Sequence, residues 1–151
     1  MKTLSGQIRE EILNSKLGLL KISSEIAGTK PAPNKWSKKE ILGHLIDSAS
    51  NNHQRFVRAQ LVPNFSFPEY EQEKWVKLQN YQGKPWIELI EFWKNYNLHL
   101  LHIVSAIPKE IMNRTCKVGD KEPVSLLQLF DDYINHMKHH LCQVLGQNIL
   151  S

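Results

Sequence analysis

Hydrophobic residues recur at helical spacing in four long stretches of the chain, and polar breaks that contain proline and glycine separate them. The four stretches cover residues 4–27, 37–61, 85–106 and 125–145. Ser37 and Glu40 have the spacing of a capping box, which predicts a sharp start for the second helix. Pro63 stops this helix, Pro85 suits the first turn of the third, and Gly146 is a typical end for the fourth. The pattern therefore predicts four long helices.

The connections between these stretches favour an all-α four-helix bundle. Residues 62–84 form a long connection, with a predicted short helix over Tyr70–Leu78. Residues 107–123 contain the one strand candidate, Thr115–Val118. Because the first connection is long enough to cross the bundle, the second and third helices can run parallel rather than as a hairpin. We expect a single helical domain over residues 1–151.

Composition and charge exclude several classes of protein. Hydrophobic residues make up 41% of the chain and charged residues 23%, which is typical of a globular domain. No apolar run approaches the roughly 20 residues that span a bilayer, and the N-terminus has no signal-peptide pattern, so we expect a cytoplasmic protein without a membrane partner. The net charge is +4, but the basic residues are scattered, which does not favour nucleic acid. Cys116 and Cys142 are expected as thiols, because two cysteines do not make a disulfide scaffold in a chain of this length.

Three histidines are the strongest candidates for chemistry. His136 and His140 are separated by about one helical turn, so both point to the same side of the fourth helix. His44 lies about as far from the start of the second helix as this pair lies from the end of the fourth, and antiparallel packing would bring all three to one level. Three neutral imidazoles without a fourth protein ligand suit an open metal site of the catalytic type. From the residues alone, surface histidines and a chance pair at this spacing remain open alternatives.

A polar stripe runs along the second helix beside the first of these histidines. Its members fall at helical spacing: His44, Asp47, Ser48, Asn51 and Arg55. Buried polar groups are costly unless they are paired, so the stripe is either a solvent-facing surface or the lining of a cavity. On the fourth helix, Gln143 returns to the face of His140. Cys142 points to another side of that helix, and we expect it to pack rather than to bind metal.

Three segments of the chain resemble the DinB/YfiT-like superfamily. They are residues 36–48 followed by Asn51, Asn52 and Arg55, residues 70–75, and residues 136–141. The first resembles the second helix of the superfamily, the second its Tyr-acidic-x-x-x-Trp segment, and the third its closing metal helix. The resemblance implies a four-helix bundle of up-down-down-up topology. It also implies one divalent metal, often nickel or zinc, with His44, His136 and His140 as its ligands.

The same resemblance implies two kinds of metal-dependent chemistry on a small-molecule substrate. The YfiT-like branch is described loosely as metal-dependent hydrolases, and its better-understood relatives resemble S-transferases that use low-molecular-weight thiols such as bacillithiol. Our first hypothesis is thiol transfer, in which a thiolate held by the metal attacks a small electrophile. In this scheme Asp47 orients His44 or a neighbouring residue, and Arg55 and Asn51 hold a carboxylate of the thiol cosubstrate.

Two other functions are left open by the same residues. One is hydrolysis by a metal-activated water, with Asp47 as a candidate base. The other is a metal-binding, stress-linked bundle without turnover. The resemblance also implies a homodimer, with exposed apolar residues of the 62–84 connection as its candidate contact surface. In that connection, Tyr70 and Trp75 are candidates for a lid over the metal cleft.

Overall fold

Seven α-helices and three short strands form the fold in the computed structural model, which describes residues 3–146. The helices are α1 (Leu4–Leu20), α2 (Ser24–Gly28), α3 (Lys38–Leu61), α4 (Gln72–Gln79), α5 (Trp86–Ser105), α6 (Lys109–Met112) and α7 (Leu126–Leu145), and a 3-10 helix covers Tyr81–Gly83. The strands are β1 (Ser66–Phe67), β2 (Thr115–Val118) and β3 (Val124–Ser125). The long helices α1, α3, α5 and α7 pack together as a four-helix bundle, so the predicted architecture is confirmed.

Serine caps determine where α2, α3 and α7 begin. The Ser37 hydroxyl accepts a hydrogen bond from the Glu40 N–H at 3.2 Å, and the Glu40 carboxylate accepts one from the Ser37 N–H at 2.9 Å. The predicted capping box is therefore present, and α3 begins where the sequence indicates. The first predicted helix is wrong in extent: α1 ends at Leu20, and the Ser23 hydroxyl accepts from the Ile26 N–H to start α2. A serine that caps a new helix competes with continuation of the old one.

A small three-stranded sheet ties the two long connections of the chain to each other. β2 pairs in parallel with β1 and antiparallel with β3, in the order β1-β2-β3. Ser66 lies opposite Lys117, and Thr115 lies opposite Ser125. β2 was predicted, whereas β1 and β3 have two residues each and are too short for a periodic pattern. The sheet holds residues 65–67 against the segment that precedes α7.

Contacts between helix ends establish the directions of three long helices. At the start of α3, the Lys38 ammonium donates a hydrogen bond to the Val144 carbonyl near the end of α7. The Lys39 ammonium donates to the Lys84 carbonyl, just before α5, at 2.7 Å. Thus α3 starts where α7 ends and where α5 starts. These are the contacts that an up-down-down-up order requires, with α3 antiparallel to α7.

α3 is buried on both its apolar and its polar sides. Leu42 and Phe56 are each 0% exposed, and so is Trp93 of α5, which belongs to the core. The polar residues Asp47 and Ser48 are buried on the same helix. This follows because α3 packs against both α5 and α7. Among residues 3–146, no helix is long and apolar enough to cross a membrane.

Candidate metal centre

Three histidines from two antiparallel helices meet in the bundle. His44 Nε2 of α3 lies 3.0 Å from His136 Nε2 of α7. The ring centroid of His44 lies 4.9 Å from that of His136 and 4.8 Å from that of His140, and the latter two centroids are 4.6 Å apart. One nitrogen from each ring lies within 4.8 Å of the others. Among residues 3–146, no other group of three or more histidines, cysteines or carboxylates comes together in this way.

Burial prepares these imidazoles to act as ligands. His44 is 1% exposed, and His136 and His140 are half-buried. Burial, with the neighbouring histidines adding to it, lowers the pKa of His44 to about 3. Burial and His140 lower the pKa of His136 to about 4, and burial lowers the pKa of His140 as well. All three rings are therefore neutral at pH 7 and have lone pairs available, which fits a divalent metal.

Two neighbouring side chains orient the histidine rings. His140 Nδ1 lies 2.8 Å from Gln143 Oε1, so the ring N–H at Nδ1 donates to the amide oxygen and Nε2 is left to bind a metal. This is the face to which the helical spacing assigned Gln143. The Trp36 ring lies against His44 with centroids 5.0 Å apart, and it shields that imidazole. Trp36 was not among the predicted site residues.

Asp47 is buried, and it orients Tyr81 and Gln79 rather than His44. It is 1% exposed, and its Oδ1 accepts a hydrogen bond from the Tyr81 hydroxyl at 2.6 Å and from Gln79 Nε2 at 2.7 Å. Neither Asp47 Oδ2 nor His44 Nδ1 has a hydrogen-bond partner among the described residues, so the predicted orientation of His44 by Asp47 is not formed. Burial raises the pKa of the Asp47 carboxyl, and the two donors oppose that rise.

A glycine explains how Tyr81 reaches this carboxylate. A Cβ atom at Gly43 would lie 2.2 Å from Cδ2 of the Tyr81 ring. Real Cβ atoms do not approach other carbons so closely, so only glycine allows the ring to lie against α3 at this point. Gly43 inside the predicted second helix was the sequence signal for this contact, because a glycine within a helix costs about 1 kcal/mol relative to alanine.

A cavity of about 480 Å³ lies beside the histidines, which is within the usual size range of ligand pockets. Its lining comes from three parts of the chain: from α3, Ser48, Asn52 and Arg55; from residues 69–72, Glu69, Tyr70 and Gln72; and from residues 118–136, Val118, Lys121, Glu122, Val124, Leu129, Asp132, Tyr133 and His136. Ser48 and Arg55 of the polar stripe therefore face a cavity, whereas His44, Asp47 and Asn51 are not part of its lining. The Asn51 amide donates to the Asp47 carbonyl at 2.9 Å, and the adjacent Asn52, whose amide donates to the Ser48 carbonyl at 2.9 Å, lines the cavity instead.

The connection after α3 provides one of the two predicted lid residues. Tyr70 lines the cavity, and burial raises the pKa of its hydroxyl to about 12. Trp75 packs against Tyr70 with ring centroids 5.1 Å apart but does not line the cavity. On α7, Cys142 is half-buried and lies outside the histidine cluster, as expected.

The metal-free protein should lose stability as the pH falls from about 6.5 to about 4. An unfolded histidine has a pKa near 6.5, whereas His44 and His136 have folded pKa values of about 3 and about 4. Over this range the unfolded state binds more protons, so acidification lowers the free energy of unfolding, and the full stabilisation is present only above pH 6.5. Urea unfolding of the metal-free protein at several pH values measures this slope. In a His44→Gln/His136→Gln variant, the free energy of unfolding should depend less steeply on pH. An unchanged pH dependence would contradict the assignment of the lowered pKa values to these two histidines.

The fold and the site together define a helical bundle that can hold a metal between two of its helices. The chain belongs to the DinB superfamily, whose family model matches residues 17–144. The predicted resemblance to DinB/YfiT-like proteins is thereby confirmed.

Two similar bacterial proteins support this membership. A "Putative metal-dependent hydrolase" of Halalkalibacterium halodurans is 27% identical over 136 residues, which cover 87% of this chain and 78% of that protein. A protein of the same description from Bacillus cereus strain AH820 is 21% identical over 109 residues, which are 72% of this chain and 62% of that protein. The match thus spans less than two thirds of the length of the second relative.

A solved structure shares the fold. YfiT from Bacillus subtilis, described as "a probable metal-dependent hydrolase with an unusual four-helix bundle topology", superposes with a TM-score of 0.82 over 97% of this chain and 87% of YfiT. The sequence identity is 16%, so this similarity shows the fold alone.

Proposed function

We propose that this chain is a metal-dependent S-transferase that joins a low-molecular-weight thiol of the bacillithiol type to a small electrophile. The observation that carries the proposal is the cluster of three neutral histidines at one end of a cavity that Arg55 also lines. A divalent metal such as nickel or zinc, when bound there, would lower the pKa of a coordinated thiol or water and so supply a nucleophile at neutral pH.

The residues of the chain have distinct roles in this scheme. His44, His136 and His140 would hold the metal, and Gln143 fixes the orientation of His140 through its hydrogen bond. Tyr70 would cover the cavity and limit the access of water. The thiol sulfur forms a bond to the electrophilic carbon, the bond to the leaving group breaks, and the leaving group departs with the electron pair. The thiol proton passes to solvent.

Hydrolysis is the second candidate, because the relatives are described as hydrolases. A general base for hydrolysis must lie within hydrogen-bond reach of the attacking water. Asp47 suits this role poorly, since its Oδ1 already accepts two hydrogen bonds and its side chain does not line the cavity. Neither reaction depends on such a base, because a bound metal would deprotonate a coordinated thiol or water near neutral pH. The cationic Arg55 in the cavity favours the transferase, because a thiol of the bacillithiol type carries carboxylates.

Pairing of two copies of the chain also belongs to the proposal. Val62, directly after α3, and Leu78, within α4, are 48% and 84% exposed. Exposed apolar side chains of this kind suit a contact surface between copies. The homodimer and the cytoplasmic location stay predictions.

A conjugation assay tests the transferase proposal. Nickel-loaded protein is mixed with bacillithiol and 1-chloro-2,4-dinitrobenzene, and the thioether and the released chloride are measured. We expect conjugate formation well above that of the metal-free protein and of the His136→Ala variant. Turnover of a nitrophenyl ester without any thiol, together with no conjugate, would favour hydrolysis. If neither conjugate formation nor ester turnover is detected, the result would favour a metal-binding bundle without catalytic activity.

A further inference from the structure

The guanidinium of Arg55 lies in the cavity without a partner. It makes no hydrogen bond or salt bridge with residues 3–146, although the side chain is half-buried. The arginine one turn later, Arg58, is exposed and donates to Gln54 at 2.8 Å, and Arg114 donates to the Gln60 carbonyl at 2.8 Å. A partly buried cation without an acceptor is costly, so Arg55 is placed to receive an anionic group that enters the cavity.

The acidic residues of the cavity do not serve as this partner. Glu69 is the acidic residue that acts most directly on Arg55, and it forms a salt bridge with Lys121 at 3.4 Å. Glu122 and Asp132 also line the cavity and make it less favourable for a phosphate, which concentrates a double charge on one group. Each carboxylate group carries a single charge, and it matches the planar fork of an arginine with two parallel hydrogen bonds.

The lining residues show that the cavity runs along the helices, away from the histidines. On α3, Ser48 and Arg55 follow His44 by about one and three turns. On antiparallel α7, Asp132 and Leu129 precede His136 by about one and two turns. The two sets of residues therefore face one groove, with the histidine cluster at one end and Arg55 at the other.

The length of this groove sets the size of the ligand. At 1.5 Å per residue, the Cα atoms of His44 and Arg55 lie about 16 Å apart along α3. Because helical side chains lean toward the N-terminus, the guanidinium reaches back toward the histidines and shortens this span to on the order of 10 Å. A cysteine-sized molecule, whose carboxylate is three bonds from its sulfur, cannot reach both ends.

We propose that Arg55 binds a carboxylate of the thiol cosubstrate at the far end of the groove, with the sulfur at the histidine cluster. This inference rests on the proposed function for its thiol, and it adds the class of thiol: an extended one whose carboxylate lies on the order of 10 Å from the sulfur. Arg55 is thus a residue that determines specificity, and a short thiol gains nothing from it.

Thiol binding to the nickel-loaded protein tests this, with the thiolate-to-nickel absorption band as the readout. Bacillithiol carries its carboxylates far from the sulfur, whereas N-acetyl-L-cysteine carries one close to it. Arg55→Met should weaken bacillithiol binding about tenfold, as expected for a lost charge-assisted hydrogen bond, and leave N-acetyl-L-cysteine unchanged. Arg55→Lys should retain part of the affinity, and Arg58→Met should alter neither thiol. Each variant is first checked for about one bound nickel per chain.

The outcomes separate this inference from the proposed function. Equal bacillithiol affinities for the unaltered protein and Arg55→Met would overturn the role of Arg55 and leave thiol binding intact. If neither thiol gives a band with the unaltered protein, the proposed function fails. Calorimetry of malate binding to the metal-free protein then tests whether Arg55 binds a carboxylate. Malate binding that Arg55→Met abolishes would support the carboxylate site. No malate binding, or inorganic phosphate binding as tightly as malate, would contradict it.

Discussion

Protein with His136→Ala should hold almost no nickel or zinc, whereas the unaltered protein should hold about one equivalent. The substitution removes one of three imidazoles whose nitrogens lie within 4.8 Å of each other, and these three form the only such group of three among the described residues. Loss of a residue that merely orients a ligand typically weakens metal binding 10–100-fold, so loss of the ligand itself should cost at least about 100-fold. Metal analysis by mass spectrometry after desalting measures the content directly.

A matched control separates this effect from the general loss of a histidine. His102 is exposed on α5, and His102→Ala should retain the full equivalent of metal. His139 lies on α7 beside the cluster, with its ring centroid 5.2 Å from that of His140, and it is exposed. We expect His139→Ala to retain the metal as well. Retention of metal by His136→Ala, or its loss in both controls, would contradict the assignment of ligands.

Gly43→Ala should destabilise the protein by about 1–3 kcal/mol, although helix propensity alone predicts the opposite. Alanine in the middle of a helix is favoured over glycine by roughly 0.5–1 kcal/mol. Here the new Cβ would lie 2.2 Å from the Tyr81 ring, so that ring must move. Its displacement breaks the 2.6 Å hydrogen bond to Asp47 and leaves a buried carboxylate with fewer donors. Urea unfolding of the metal-free protein gives the change in the free energy of unfolding.

Gly28→Ala is the control for this substitution. Gly28 ends α2, and a Cβ there meets only the flexible Lys39 side chain at 3.9 Å. The expected change is within about 0.5 kcal/mol. If Gly43→Ala were as stable as the unaltered protein or more so, the close packing of Tyr81 against α3 would be wrong.

Features that depend on local sequence could be predicted. The start of α3 follows from a capping box that involves only Ser37 and Glu40. The end of α7 follows from Gly146, whose φ of 66° lies in the left-handed region that glycine adopts readily. His136 and His140 share a face because of the helical period, and their level relative to His44 follows from distances to helix ends.

Features that depend on packing between distant segments could not be predicted from the sequence. Asp47 binds Tyr81 and Gln79, which lie more than thirty residues later and approach α3 only through the fold. Asn51, predicted to hold a carboxylate of the cosubstrate, does not line the cavity, whereas Asn52 does. Adjacent helical residues differ by about 100°, and neighbouring helices decide which of them faces the cavity. The break between α1 and α2 was missed because a serine fits both a helix interior and a cap.

X-ray absorption spectroscopy of the zinc-loaded protein tests the central claim most directly, because it identifies the atoms bound to the metal. We expect three imidazole nitrogens at about 2.0–2.1 Å, together with lighter ligands from solvent. The same spectrum should lose an imidazole contribution in any His136→Ala protein that still retains zinc. A sulfur ligand at about 2.3 Å, which would bring in Cys142, or a shell without imidazole would contradict the three-histidine centre.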